Sequence, residues 1–264
     1  MPAGFAGGYK SSTQQARVVT ESWGVANLYC PACSSPRLGA SPPNTQAIDY
    51  ECPVCGLPFQ LKSSQGPIGE RIMDAGFEAM MRAIREDRTP NLLVLHYDRL
   101  SWRVKNLLLV PHFAFSASAV EKRKPLAATA RRAGWVGCNI VLKNVPTEAR
   151  IALVREGSVV PAKTVREGFR RVMPLKQLKA EQRGWTLDVL RLVQSRIASG
   201  RADAALAERS FTTQDAYAFV PELERLHPGN RHVRDKIRQQ LQVLRDQGFL
   251  KHLDRGEWEL TSRA

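Results

Sequence analysis

The chain reads as a mixed α/β domain followed by a smaller helical domain that ends in a hairpin, and three features of the sequence carry that reading. Short apolar runs bounded by turn residues alternate with helical patterns through roughly the first 180 positions. Two C-x2-C pairs sit among those runs. Beyond Gly184 the pattern changes to a succession of amphipathic helices.

In chain order, "QQARVVTESW" has helical spacing, "AIDYEC" and "PFQLKSS" look like short strands, and "GFEAMMRAIREDRTP" is a helix stopped before Pro90. The small, polar "SSPRLGASPPNTQ" between the first two is expected to be a loop. "NLLVLHY" and "VKNLLLVP" are apolar and short enough for buried strands, and "RIALVREGSVV" resembles a hairpin turning near Glu156-Gly157. A polar stretch from Met173 to Gln182 suggests a boundary near residue 180, giving domains 1–180 and 181–264. In the second domain "WTLDVLRLVQSRI" is expected to begin with Thr186 as N-cap, and "FTTQDAYAFVPELERL" with Thr212 or Thr213. "NRHVRDKIRQQLQVLRDQGFL" makes a third helix ending at Gly248, and "FLKHLDRGEWEL" a hairpin with Arg255-Gly256 at its turn. Helix, helix, longer helix and hairpin is the order of a winged helix-turn-helix.

With 264 residues and 43% hydrophobic content the chain can build a real core. No apolar run approaches the roughly 18 residues of a membrane span, and the start "MPAGFAGGYKSST" lacks a secretory pattern. A cytoplasmic protein without membrane partner is expected. The formal charge of +14 points to a polyanion. Residues 1–180 carry 25 Lys+Arg against 13 Asp+Glu, whereas residues 181–264 carry 14 against 12, so most phosphate attraction resides in the first part.

Five cysteines in such a chain argue for metal ligation over disulfides, because the cytosol keeps thiols reduced. Cys30, Cys33, Cys52 and Cys55 form two C-x2-C turns separated by 18 residues. Each turn can aim two sulfurs at one ion, and four protein ligands complete the tetrahedron that structural zinc prefers. Cys138 stands alone and is most simply a buried small residue. Histidine-metal nuclease chemistry does not fit, because no histidine precedes His96 and no H-x-H or H-E-x-x-H arrangement occurs.

If "AIDYE" and "FQLKS" are adjacent strands joined through the knuckle, Asp49 lies on one, and Gln60 and Lys62 share a face of the next. An acid followed by [D/E]-x-K on the neighbouring strand is the constellation of the PD-(D/E)xK nucleases. A hard Mg²⁺ takes carboxylate, carbonyl and phosphate oxygens, and an adjacent ammonium can orient the attacking water. Asp49 and Gln60 are then the Mg²⁺ candidates and Lys62 the catalytic lysine. Glu21 in the first helix is either a further acid reaching the metal through water or a helix-face carboxylate.

The segments "YKSSTQQARVVTESW", "YCPAC", "DYECPVCGLPFQLKSSQG", "MMRAI", "EKRKPLAATARRAGWVGCNI", "RGWTLDVL" and "HVRDKIRQQLQVLRDQGFL" resemble the DpnI-like restriction endonucleases, in order, from about Tyr9 to Leu260. The resemblance implies a PD-(D/E)xK catalytic domain with a zinc knuckle and a C-terminal winged helix. It also implies methyl-directed type II cleavage of double-stranded DNA at GATC carrying N6-methyladenine, with Mg²⁺ and Zn²⁺ and without a nucleotide cofactor. Two positions depart: Gln60 stands where that pattern carries Glu, and Ile48 replaces the Pro before the acid. The other reading of the chain is therefore a zinc-containing methyl-DNA-binding protein whose nuclease site has lapsed.

For DNA contact, Val233, Ile237, Leu241 and Leu244 have core spacing. That leaves Arg231, His232, Arg234, Asp235, Lys236, Arg238 and Gln239 as outward candidates at the N-terminal end of the third helix, with Arg255 in the wing. In the first domain Lys122, Arg123, Lys124, Arg131 and Arg132 are phosphate candidates, and Trp135 is either a base-step or methyl contact or a core tryptophan. A monomer acting twice and a transient dimer both fit cleavage of two strands.

Overall fold

A computed structural model of the chain describes residues 1, 4, 8, 10–42, 45, 47–199 and 209–261. Its elements in order are α1 (Ser12–Asn27), β1 (Gly39–Ala40), β2 (Tyr50–Glu51), β3 (Pro58–Ser64), β4 (Arg71–Gly76), α2 (Phe77–Arg85), β5 (Asn91–Tyr97), β6 (Val104–Val110), β7 (Val120–Lys122), β8 (Gly137–Val141), β9 (Ile151–Arg155) and β10 (Ser158–Val159). There follow α3 (Ala162–Val172), α4 (Ala180–Ser199), β11 (Ser210–Thr212), α5 (Thr213–Ala216), α6 (Val220–Leu226), α7 (Val233–Asp246), β12 (Leu250–Asp254) and β13 (Glu257–Leu260). This is a mixed α/β domain with a large sheet, followed by a helix-turn-helix domain with a wing.

Among the described residues the large sheet has the order β1-β2-β3-β5-β6-β9-β10. Its centre is β5, whose near-continuous apolar run "NLLVLHY" is buried on both faces. The β3–β5 pair is parallel, with Gln60 opposite Leu92 and Lys62 opposite Val94. A parallel pair needs a crossover, and here the intervening chain carries β4 and α2. The second sheet, β4-β8-β7, is formed in part by that crossover and lies beside β3. Helix α2 buries Met80 and Ile84, four residues apart on one stripe.

Some elements differ from expectation. The strand read from "AIDYEC" shrinks to Tyr50–Glu51, because Ala47 takes a left-handed φ of 57° and breaks the extended run. Within the segment expected to be a loop, Gly39–Ala40 pairs with Tyr50–Glu51 as an edge strand. Residues 43, 44 and 46 of that loop lie outside the described residues, as do 200–208 and 262–264 of the second part. Thr186 is not an N-cap. Helix α4 starts at Ala180, and the buried Thr186 hydroxyl donates to the Gln182 carbonyl one turn back and to Gln240 Oε1 at 2.6 Å. The hairpin at Glu156-Gly157 is present, with φ of 46° and 81° at its two turn residues.

The second part keeps its expected order in α7 and the closing hairpin, while "FTTQDAYAFVPELERL" divides into strand β11 and two short helices, α5 and α6, rather than one helix. Thr212 caps α5 in a reciprocal pairing with Asp215. Helix α7 buries Val233, Ile237, Leu241 and Leu244 and ends at Gly248. There φ is 74°, and Phe249 and Gly248 donate to the Leu244 and Arg245 carbonyls. Helix α4 joins the two parts. Its buried Arg183 pairs with Asp87 after α2, its Asp188 accepts from Ser116, and its Thr186 meets Gln240 on α7. No helix of the described residues is long and apolar enough to cross a membrane.

Candidate active site and nucleic-acid interface

The four knuckle cysteines converge. Their ligand atoms all lie within 4.8 Å of one another, with Cys30 Sγ 3.6 Å from Cys55 Sγ and Cys33 Sγ 3.5 Å from Cys52 Sγ. Zn–S bonds of about 2.3 Å in a tetrahedron place sulfurs roughly 3.8 Å apart, so the set fits a structural zinc with no position open for water. The turn after the second pair closes through Gly56 at φ 68°, whose N–H donates to the Cys52 carbonyl. From the far side Arg166 on α3 reaches in: Nε donates to the Cys30 carbonyl, Nη2 donates to the Ser35 carbonyl, and the guanidinium lies 5.2 Å over Tyr29.

Past the knuckle the chain brings Asp49 to β3. The backbone pairing runs one residue beyond β2: Asp49 N–H donates to the Phe59 carbonyl, and the Asp49 carbonyl accepts from Ser41. Its carboxylate Oδ2 accepts a hydrogen bond from the backbone N–H of Leu61 at 2.6 Å. Leu61 is the residue between Gln60 and Lys62, so the acid is pinned to the centre of the Q-x-K triplet. Gln60 is 7% exposed. The donors available here are carboxylate and amide oxygens, the chemistry that a hard divalent cation takes.

Lys62 has a partner that the spacing of residues could not reveal. Its Nζ lies 2.8 Å from Asp74 Oδ1, and the Asp74 side chain is only 4% exposed. Asp74 comes from β4 in the second sheet. Only the strand-then-helix run "RIMDAGFEAMM" hinted at it, and that run carries no motif.

Glu21 reaches the same region from α1. With Arg17, Asp49 and Tyr50 it lines a cleft of about 370 Å³. Its carboxylate is held by Arg17 Nε at 2.6 Å, and this contact is the main cause of a raised Arg17 pKa. The Glu21 carbonyl accepts from the Tyr50 hydroxyl at 3.1 Å. That hydroxyl fits because position 24 is glycine: a Cβ there would stand 2.6 Å from Tyr50 Cζ.

The basic residues fall into two groups. Lys122, Lys124, Arg131 and Arg132 are exposed and Arg123 half-buried around β7 and the loop that follows. Lys122 Nζ lies 5.0 Å over the Phe77 ring, and the Arg132 guanidinium 4.8 Å over Trp135. Trp135 is neither a core residue nor free. Its half-buried ring lies on the paired glycines Gly76 and Gly137, where a Cβ at Gly137 would approach it to 2.8 Å. That pair is two residues along β4 from Asp74. The acid in this patch, Glu121, is held down to about 2 by its hydrogen bonds from Arg71 and Asn139.

At the start of α7 and just before it, Arg231, His232, Arg234, Asp235, Arg238 and Gln239 are exposed. Arg234 lies 5.2 Å over Tyr217, and Arg238 pairs with Asp235 and donates to the Tyr217 hydroxyl at 3.3 Å. Lys236 departs from that face, half-buried at 5.9 Å over Trp185. Arg255 is exposed at the wing turn, where its N–H donates to Asp254.

A family model described as the Dam-replacing family, DpnI, matches residues 3–178, and one described as the Dam-replacing HTH domain matches residues 181–260. The chain belongs to the DpnI family. Membership in the DpnI family implies a restriction nuclease whose helix-turn-helix domain engages double-stranded DNA. The four-cysteine knuckle and the basic surfaces lie within those two matched stretches.

Proposed function

We propose that this DpnI-family chain is a methyl-directed type II restriction endonuclease. On this reading it hydrolyses phosphodiesters of double-stranded DNA at GATC bearing N6-methyladenine, with Mg²⁺ as the catalytic cation and zinc as a brace in the knuckle. The observation that carries the proposal is the Asp49 carboxylate fixed on the Leu61 N–H between Gln60 and Lys62, in a chain of this family.

Asp49 and the Gln60 carbonyl oxygen would hold the cation, which when bound neutralises charge on the scissile phosphate and favours a deprotonated water. Asp49 is held rigid by its bond to Leu61, and Lys62, held by Asp74, orients the water for attack on phosphorus and offsets the developing negative charge. Lys122, Arg123, Lys124, Arg131 and Arg132 hold phosphates. Arg231, His232, Arg234, Arg238 and Gln239 present the start of α7 to the major groove, with Lys236 on its flank and Arg255 on the backbone. Trp135, flat on two glycines, offers the apolar surface that a small N6-methyl group requires. The division into a catalytic domain 1–180 and a DNA-binding domain 181–264 belongs to the same reading.

The neutral Gln60 favours the competing reading, a methyl-DNA-binding protein with a lapsed site. Purified protein with Mg²⁺ and matched plasmids, methylated and unmethylated at GATC adenines, separates the two. Cutting of the methylated plasmid alone is expected, and retained binding without cutting of either supports the reader. Lys62→Ala should abolish cleavage and leave DNA binding unchanged; cleavage that survives this substitution rules out the assignment.

A further inference from the structure

We propose that Asp74 is the second acid of the cation site, replacing by position in space the carboxylate that residue 60 lacks. The inference rests on the nuclease reading of Asp49 and Lys62 and adds a residue from another sheet to it.

Charge balance motivates it. Asp49 and Lys62 cancel and Gln60 adds nothing, so these three residues offer a divalent cation no net attraction. Ligand charge is one of the main determinants of affinity for hard cations. Asp74 restores one negative charge, and it does so within contact of Lys62: Nζ to Oδ1 is 2.8 Å.

Burial sharpens the point. Both Gln60 and the Asp74 side chain are more than nine-tenths buried. Among the described residues Asp74 Oδ1 has no hydrogen-bond donor beyond the Lys62 ammonium. A buried ion pair is weak evidence of stabilisation, because well-packed apolar residues do as well or better. A buried carboxylate whose only partner among the described residues is the lysine of the Q-x-K triplet is better explained as a group held ready for a cation than as a stabilising ion pair. Cys138 is buried next to β4, its Sγ 3.3 Å from the carbonyl of Ala75, the residue after Asp74.

The proposal predicts that the acid can be moved back. Mn²⁺, titrated into the zinc-loaded protein and followed by electron paramagnetic resonance, reports binding without turnover. Asp74→Asn should weaken Mn²⁺ binding about 10-fold or more and reduce cleavage. Gln60→Glu on the wild-type background should strengthen binding, and the double variant Asp74→Asn with Gln60→Glu should regain most of the wild-type affinity. Recovery in the double variant also shows that Asp74→Asn folds. Unchanged Mn²⁺ affinity in Asp74→Asn, or a folded double variant that does not recover, overturns the inference and leaves the nuclease assignment standing. A wild-type protein that neither binds Mn²⁺ nor cuts methylated DNA overturns both.

Discussion

The Asp49 carboxylate accepts the backbone N–H of Leu61 at 2.6 Å, one residue before β2 begins. Beside the backbone bond from Asp49 N–H to the Phe59 carbonyl, this side-chain bond fixes an acid opposite the midpoint of the Gln60–Lys62 pair.

From this bond the two roles of Asp49 become separable. Asp49→Asn keeps an oxygen for the Leu61 N–H, so its melting temperature should stay near wild type while cleavage falls about 10²-fold or more. Asp49→Ala leaves that donor unmatched, which costs about 1–3 kcal/mol in addition to the loss of cleavage. Equal melting temperatures for the two variants would contradict the structural role, and full cleavage by Asp49→Asn the chemical one.

Position 24 tests how α1 supports the same acid. Alanine is intrinsically better than glycine in a helix by about 1 kcal/mol. Here the new Cβ would collide with the Tyr50 hydroxyl and stand 2.6 Å from Cζ, and overpacking of a fixed ring costs about 1–3 kcal/mol. Collision outweighs propensity, so Gly24→Ala should lower stability and, by shifting Tyr50, move the neighbouring Asp49 and reduce cleavage. Thermal unfolding and plasmid cleavage of the variant check both; a stabilised, fully active Gly24→Ala contradicts the packing.

The knuckle should depend on a residue far away in sequence. Arg166 donates to the Cys30 and Ser35 carbonyls, each at 3.2 Å, and hydrogen bonds from a charged group contribute about 1.5–3 kcal/mol. Arg166→Ala should release zinc to a chromophoric chelator faster than wild type, with one zinc per chain still bound at the start. Cys30→Ser should bind less zinc outright. Identical release rates for Arg166→Ala and wild type would show that α3 does not brace the site.

The two basic surfaces should differ in what they do. Removing Lys124 and Arg131 together should weaken binding to all duplexes alike and lower the slope of log affinity against log salt by roughly 2, about 0.9 for each phosphate contact. Gln239→Ala should instead erode preference for the target over other sequences by about 1–3 kcal/mol, with the salt slope unchanged. Fluorescence anisotropy at several salt concentrations measures both quantities. A sequence-specific loss from the first pair would reverse the assignment of the surfaces.

Much of this was legible because its causes are local. The apolar run "NLLVLHY" can only be a buried strand, the C-x2-C turns carry their own geometry, and Val233, Ile237, Leu241 and Leu244 repeat at helical spacing and are all buried. What escaped depends on partners distant in sequence. Thr186 looks like a cap until Gln240, 54 residues away, takes its hydroxyl. Helix α3 shows Val165, Phe169 and Val172 at core spacing, yet its charged remainder hides them. Asp74 acquires meaning only when a second sheet sets it against Lys62.

Acid sensitivity should trace to His112. Its ring is 8% exposed, lies edge-on to Phe113 at 5.1 Å and, among the described residues, has no hydrogen-bond partner for Nε2. Burial lowers its pKa from 6.5 to about 4; the nearby Asp87 opposes that shift, and Lys176 and Arg183 reinforce it. The unfolded chain therefore binds a proton that the folded chain refuses between these two values, and stability rises with pH across that window. The full contribution is present above pH 6.5, and about 3 kcal/mol is lost as pH falls toward 4. His112→Phe removes the titrating group while keeping an aromatic ring among the same neighbours. The difference in unfolding free energy between wild type and variant, measured by urea denaturation from about pH 7 to 4, should change in favour of the variant as pH falls. Parallel curves over that range would mean that His112 titrates alike in the folded and unfolded chain.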